Sequence, residues 1–307
     1  MKIYNKKLPQ KLIDELYYLN EAYFQFDKPV PFIEGLTLYP VNVKFHDEFL
    51  TCSSCFTLNK LDDPMGLMYS NMGYLISKMQ SEDKDEGAKW SRYFSRLCEL
   101  IFNIKNGIKC KDCGKIMSFS DFFKGLSEEK ENFKCECGST NFMEVIGIKE
   151  NEKTHKKELR IDGVTVTDED FNRLRQIVMY QNLPDFKDDS WVDIEVRKDQ
   201  EETARLRAKK NKAGSASLER KICCMAVKMS VSLDYVYSLT IRKFLMMFSI
   251  MDDLINYETT RIGLSTGMIS TKEPIEHWVF KPESDDLYGV GVDAQAFKDQ
   301  ITSTGQA

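Results

Sequence analysis

Two close pairs of cysteines carry the clearest chemistry in this sequence. Cys110-Lys-Asp-Cys113-Gly is followed, after twenty intervening residues, by Cys135-Glu-Cys137-Gly. Thiolate pairs at these spacings can meet at one tetrahedral Zn²⁺ with Zn–S bonds near ~2.3 Å. The glycine after each pair suits a turn wrapped closely round a metal, which often needs φ > 0. Cys110, Cys113, Cys135 and Cys137 are therefore the expected metal ligands. Four thiolates close the shell against water and substrate, so the expected cofactor is a structural Zn²⁺. The second knuckle is Cys-x-Cys where most ribbons have Cys-x-x-Cys, which tightens it. A redox role for Cys110 and Cys113 is disfavoured because no βαβ pattern surrounds them.

The other cysteines read differently. Cys52-Ser-Ser-Cys55 has helical surroundings and no glycine knuckle, so both are expected as small, partly buried side chains. His46 and Cys98 complete a second ligand set with them only if the fold brings all four together. Cys223 and Cys224 point about 100° apart on a helix and cannot easily share a metal; core packing is the expected role.

Catalytic patterns are missing. The chain contains no Gly-rich phosphate loop, no His-Glu-x-x-His and no Gly-x-Ser-x-Gly. Its three histidines, His46, His155 and His277, stand in unrelated contexts and give acid–base chemistry little material. Asp252 and Asp253 are adjacent on a helix and diverge, which implies a solvated or capping pair. The expectation is a protein that is not an enzyme.

The sharpest basic run is Arg205, Arg207, Lys209, Lys210 and Lys212, a candidate patch for tracking phosphates. Asp199, Glu201 and Glu202 lie beside it, and pairing such as Glu201 with Arg205 makes an exposed salt-laced helix the more economical reading. The net charge of -5 supplies no whole-protein field toward a polyanion.

The elements that must hold these residues follow from length and pattern. A chain of 307 residues exceeds the usual single core, and 42% apolar with 30% charged residues is a globular composition. Neither an export signal nor a stretch of ~18 uninterrupted apolar residues is present. Nine cysteines, an odd number in close pairs, point to a reducing compartment.

Helical spacing of apolar residues predicts helices over 8–26, 46–58, 66–80 and 89–104, with an extended hook over 32–43 and a charged loop over 81–89. Residues 107–147 read as a separate small module. Glu158-Leu-Arg-Ile then Asp162-Gly163 then Val164-Thr-Val-Thr gives a hairpin, and Thr167 with Asp170 offers a capping box for a helix to about Gln181. A polar stretch follows from 185 to 214, and Ser215 or Ser217 can start a C-terminal set of two or three helices ending near Tyr257. Met225, Met229, Met246, Met247 and Met251 give that set a methionine-rich face, suited to core filling or to an adaptable partner surface.

Two stretches resemble a known class. Gly35-Leu-Thr-Leu-Tyr-Pro-Val41, followed by Lys44-Phe-His-Asp-Glu-Phe-Leu50, resembles the opening of tail and baseplate assembly proteins of contractile-tailed bacteriophages. Leu239-Thr-Ile-Arg-Lys-Phe244 with the long helix after it is similar to helical segments of phage tail assembly chaperones. The resemblance covers about a third of the chain and brings no catalytic residues.

The expected fold is mainly α, with a small β-containing zinc ribbon inserted and a β-hairpin. Expected divisions are a helical unit at 1–106, the ribbon at 107–147, hairpin, helix and charged linker at 148–213, and a helical unit with an irregular tail at 214–307. The resemblance implies a non-enzymatic factor in tail or baseplate assembly, a chaperone or a minor structural subunit. Its implied partners are tail or baseplate proteins, and its implied location is the host bacterial cytoplasm or the virion tail. Neither a membrane nor a small-molecule substrate is expected. The alternative is a zinc-ribbon regulator that binds nucleic acid through the ribbon and the 205–212 run.

Overall fold

A computed structural model describes residues 23, 26–33, 35–58, 60, 63, 66–129, 133–151, 157–184, 186, 202–203, 216–270, 275, 277 and 279. The helix expected over 8–26, apart from residues 23 and 26, and the basic run at 205–212 lie outside the described residues. The described part is mainly helical with small antiparallel sheets, as the sequence implies.

Within the hook expected over 32–43 only β2 (Thr37–Leu38) is a strand, and it pairs with β1 (Val30–Pro31) just before that segment, with Val30 opposite Leu38. A 3₁₀ turn at Val43–Phe45 leads into α1 (His46–Ser53). The pattern over 66–80 splits into a 3₁₀ turn at Gly66–Met68 and α2 (Asn71–Met79), because the Ser70 hydroxyl accepts from the Gly73 amide at 3.0 Å and starts a new helix.

The segment 81–89 is not a loop beyond Asp83. Its carboxylate accepts from the amides of Asp85 (3.0 Å) and Glu86 (3.4 Å), so α3 runs Lys84–Phe102. The charges that suggested a solvated linker are the acidic first turn of a helix, favoured by its dipole.

The hairpin forms where expected. β6 (Ile146–Glu150) pairs with β7 (Lys157–Ile161), and β7 pairs with β8 (Val164–Val166). The two-residue turn has φ of 47° at Asp162 and 89° at Gly163, both left-handed, as a type I′ turn requires. The capping box follows: Thr167 Oγ1 accepts from the Asp170 amide at 3.2 Å, and Asp170 accepts from the Thr167 amide at 3.2 Å. It opens α5 (Asp168–Asn182).

Two compact units divide the chain: Met1–Phe186 with Ala226–Met246, and Lys187–Met225 with Met247–Ala307. Leu159, Ile161, Val166, Phe171 and Ile241 bury in one cluster with Phe49 and Phe94. Phe171 stands between Phe56 (5.6 Å, edge-on) and Phe94 (6.5 Å) and fastens α5 to α3.

Backbone bonds complete the first unit. An isolated bridge joins Asn42 to Thr240, with Val43 N–H donating to Leu239 O and Ile241 N–H to Val41 O, each at 2.8 Å. The Val41 amide donates to Asn182 Oδ1. Thr240 Oγ1 donates to Asp27, which also pairs with Lys243.

Toward the C-terminus lie α6 (Leu218–Met229), α7 (Leu233–Ser238) and α8 (Ile241–Ser265). Ser217 is the starting residue of α6, accepting from the Arg220 amide at 3.3 Å. Cys223 and Cys224 are exposed, contrary to the core role expected. The buried stripe of α6 is Ile222, Met225 and Ala226, spaced three and four apart, and it faces both cysteines away. Met225 is fully buried, whereas Met229 and Met246 are exposed. No helix among the described residues is long and apolar enough to cross a membrane.

Candidate metal centre

The cysteine module is a three-stranded antiparallel sheet in the order β4–β3–β5, built from β3 (Ile108–Cys110), β4 (Ile116–Met117) and β5 (Phe142–Glu144). Gly107 is needed at its root, because a Cβ there would lie 2.2 Å from the Met117 carbonyl oxygen. The root is tied to the hairpin. Val145 N–H donates to Gly107 O at 2.9 Å, Asp162 N–H donates to Val145 O at 2.6 Å, and Lys109 pairs with the Asp162 carboxylate at 2.5 Å.

Each knuckle is a tight backbone turn. In the first, Gly114 N–H donates to Cys110 O and Cys110 N–H to Lys115 O, both at 2.9 Å, with Gly114 at φ 75°. In the second, Gly138 N–H donates to Cys135 O at 2.7 Å and Cys135 N–H to Ser139 O at 2.8 Å, with Gly138 at φ 85°. Both glycines supply the left-handed turn that their positions in the sequence suggested.

All four sulfurs lie within 4.8 Å of one another. Cys110 Sγ is 3.6 Å from Cys137 Sγ, and Cys113 Sγ is 3.5 Å from Cys135 Sγ. A tetrahedron of ~2.3 Å Zn–S bonds has edges of about 3.8 Å, so the thiol cluster fits a tetrathiolate ion. Cys110 and Cys135 are buried while Cys113 and Cys137 are exposed, one of each kind on each knuckle.

The electrostatics agree with a site built for a cation. The Cys113 amide, followed by that of Asp112, points at the Cys110 sulfur and lowers its pKa to about 6 against burial. At Cys137 the Ser139 amide lowers the pKa, but shared bonds to Cys113, Cys110 and Cys135 and desolvation outweigh it and push the thiol up to about 12. Crowded sulfurs cannot all ionise together without a counter-ion, and a divalent metal supplies one.

A helix not foreseen from the sequence lies between the knuckles: α4 (Phe119–Glu129). Ser118 Oγ accepts from the Asp121 amide at 3.1 Å and donates to its carboxylate at 2.7 Å. The Ser118-x-x-Asp121 spacing was the available signal. The helix brings Phe122 against Phe133 (5.4 Å) and Phe142 (5.1 Å), a small aromatic core separate from the main one.

Cys52, Cys55 and Cys98 are buried in the main core. Burial pushes the Cys55 thiol up to about 12 and Cys98 well above its ordinary value. His46 Nδ1 sits 3.0 Å from the Asp47 carboxylate. Among the described residues the four-cysteine cluster is the one grouping of metal-capable side chains, so these four do not assemble into a second set. Of the candidate phosphate patch, Arg205, Arg207, Lys209, Lys210 and Lys212 all lie outside the described residues.

Residues 209–281 match a family model described as the YomV second domain, which belongs to a phage-derived family. The match spans α6, α7 and α8. No curated protein and no solved structure matches the chain.

Proposed function

We propose that this chain is a non-enzymatic phage protein that assists assembly of a tail or baseplate, as a chaperone or minor structural subunit, with a structural Zn²⁺ held by Cys110, Cys113, Cys135 and Cys137. The observation that carries the metal reading is the approach of four sulfurs to within 4.8 Å on two glycine-closed knuckles. A shell of four thiolates leaves no position for a bound hydroxide, so the metal's part is to hold the ribbon together. Support for the phage setting is the family match over 209–281. Support for partner binding is the series of exposed apolar side chains Val227, Met229, Leu233, Tyr235 and Tyr237 within that segment. Such a protein would work in the host cytoplasm or remain in the tail.

The test has two arms. Metal analysis of protein purified without added zinc is expected to return one zinc per chain, lost in Cys110→Ser with Cys135→Ser. Reciprocal co-purification from infected cells is expected to pair the chain with an identified tail or hub protein. Salt-dependent gel shifts on DNA that vanish in Arg205→Ala with Arg207→Ala would instead favour the nucleic-acid regulator.

A further inference from the structure

Opposite charges stand on the two knuckles of the cysteine cluster. Lys115 follows the first knuckle immediately, and its carbonyl already accepts the Cys110 amide at 2.9 Å. Glu136 is the single residue between Cys135 and Cys137. The Lys115 ammonium and the Glu136 carboxylate pair directly. The bond joins segments separated by α4, and its cation stands beside a cluster that becomes dianionic when four thiolates bind one divalent ion.

We propose that Lys115 and Glu136 form a charge latch across the knuckles that slows release of the bound metal. The inference rests on the metal reading above. Metal can leave only as sulfurs from the two knuckles part, and the pair ties one knuckle to the other. Both side chains are open to solvent, so the latch is weak and salt-sensitive and modulates a rate while the four thiolates supply affinity.

The experiment follows zinc transfer from the full-length protein to excess chromogenic chelator for wild type, Lys115→Gln, Glu136→Gln and the double variant. Each single variant is expected to lose zinc about two- to fivefold faster at low salt. The double variant should be no faster than either single one, and in ~1 M salt the four proteins should converge. Additive effects, or wild-type rates in both single variants, would overturn the latch while leaving the metal site standing. Wild-type protein that holds no zinc would overturn both readings. A reversed pair, Lys115→Glu with Glu136→Lys, serves as the rescue and should return most of the lost retention; failure to do so counts against the latch.

Discussion

The Val41 backbone amide donates a 2.8 Å hydrogen bond to the side-chain oxygen of Asn182, a residue 141 positions away. Asn182 is fully buried and its amide group donates in turn to Val178 O at 2.9 Å. One side chain therefore both ends α5 and satisfies the strand-like segment beside it. Asn182→Leu keeps the branched heavy-atom skeleton and orphans the Val41 amide, at a cost of about 1–3 kcal/mol. Urea unfolding should show a lower midpoint with an unchanged slope.

The capping box of α5 makes stability depend on acid. Burial pushes the Asp170 carboxyl up, but the Thr167 hydroxyl and amide and the Arg173 guanidinium outweigh it and hold its pKa below the usual range. A depressed carboxylate contributes fully above its unfolded pKa of ~3.9 and loses that contribution as pH falls through the folded value. Asp170→Asn should thus be destabilised against wild type at neutral pH, and the gap should close below about pH 4. Thr167→Ala should cost about 1 kcal/mol in the same assay.

Gly125 reverses a familiar sign. Alanine in a helix interior normally stabilises by about 1 kcal/mol over glycine. Within α4, a Cβ at Gly125 would lie 2.2 Å from the Phe133 ring, which would have to leave its place against Phe122 and Phe142. Gly125→Ala should lower the melting temperature and loosen the ribbon, seen as faster proteolytic cleavage within 107–147.

Thiol labelling should sort the nine cysteines into three classes. Cys223 and Cys224 are exposed and outside the cluster, so both should react in the native metal-bound protein. The four cluster thiols should become reactive when the metal is chelated. Cys52, Cys55 and Cys98, buried and with pKa values raised by that burial, should wait for denaturant. Early labelling of any of these three would contradict their place in the core.

Elements with local instructions were legible in the sequence. The turn at Asp162-Gly163, the box at Thr167 and Asp170, and the knuckles at Gly114 and Gly138 each depend on a few adjacent residues, and each formed where its residues predict. The start of α3 was misplaced because Asp83-Lys-Asp-Glu reads as a solvated run until the cap at Asp83 is recognised. Cys223 and Cys224 were misassigned for lack of a fixed phase for the buried stripe of α6, which Ile222 and Met225 set. The burial of Leu159, Phe171 and Ile241 in one core was least visible, since it is a property of distant contacts that no local pattern records. Within the cysteine cluster the four sulfurs could be named in advance; the Lys115–Glu136 pair and the aromatic packing on α4 needed the turns to be in place.

The bridge between Asn42 and Thr240 sets a timetable for biosynthesis. Val41 and Val43 are translated before residues 44–238, and their backbone partners, Leu239 and Ile241, only after them. Closing so long a loop carries a large entropic delay, and a nascent chain meanwhile exposes the apolar surface that Ile241 will cover. Premature termination between residue 148 and Thr240 should leave a product with an unsealed seam, prone to capture by host chaperones or to aggregation, even though every residue of the cysteine ribbon has already been made.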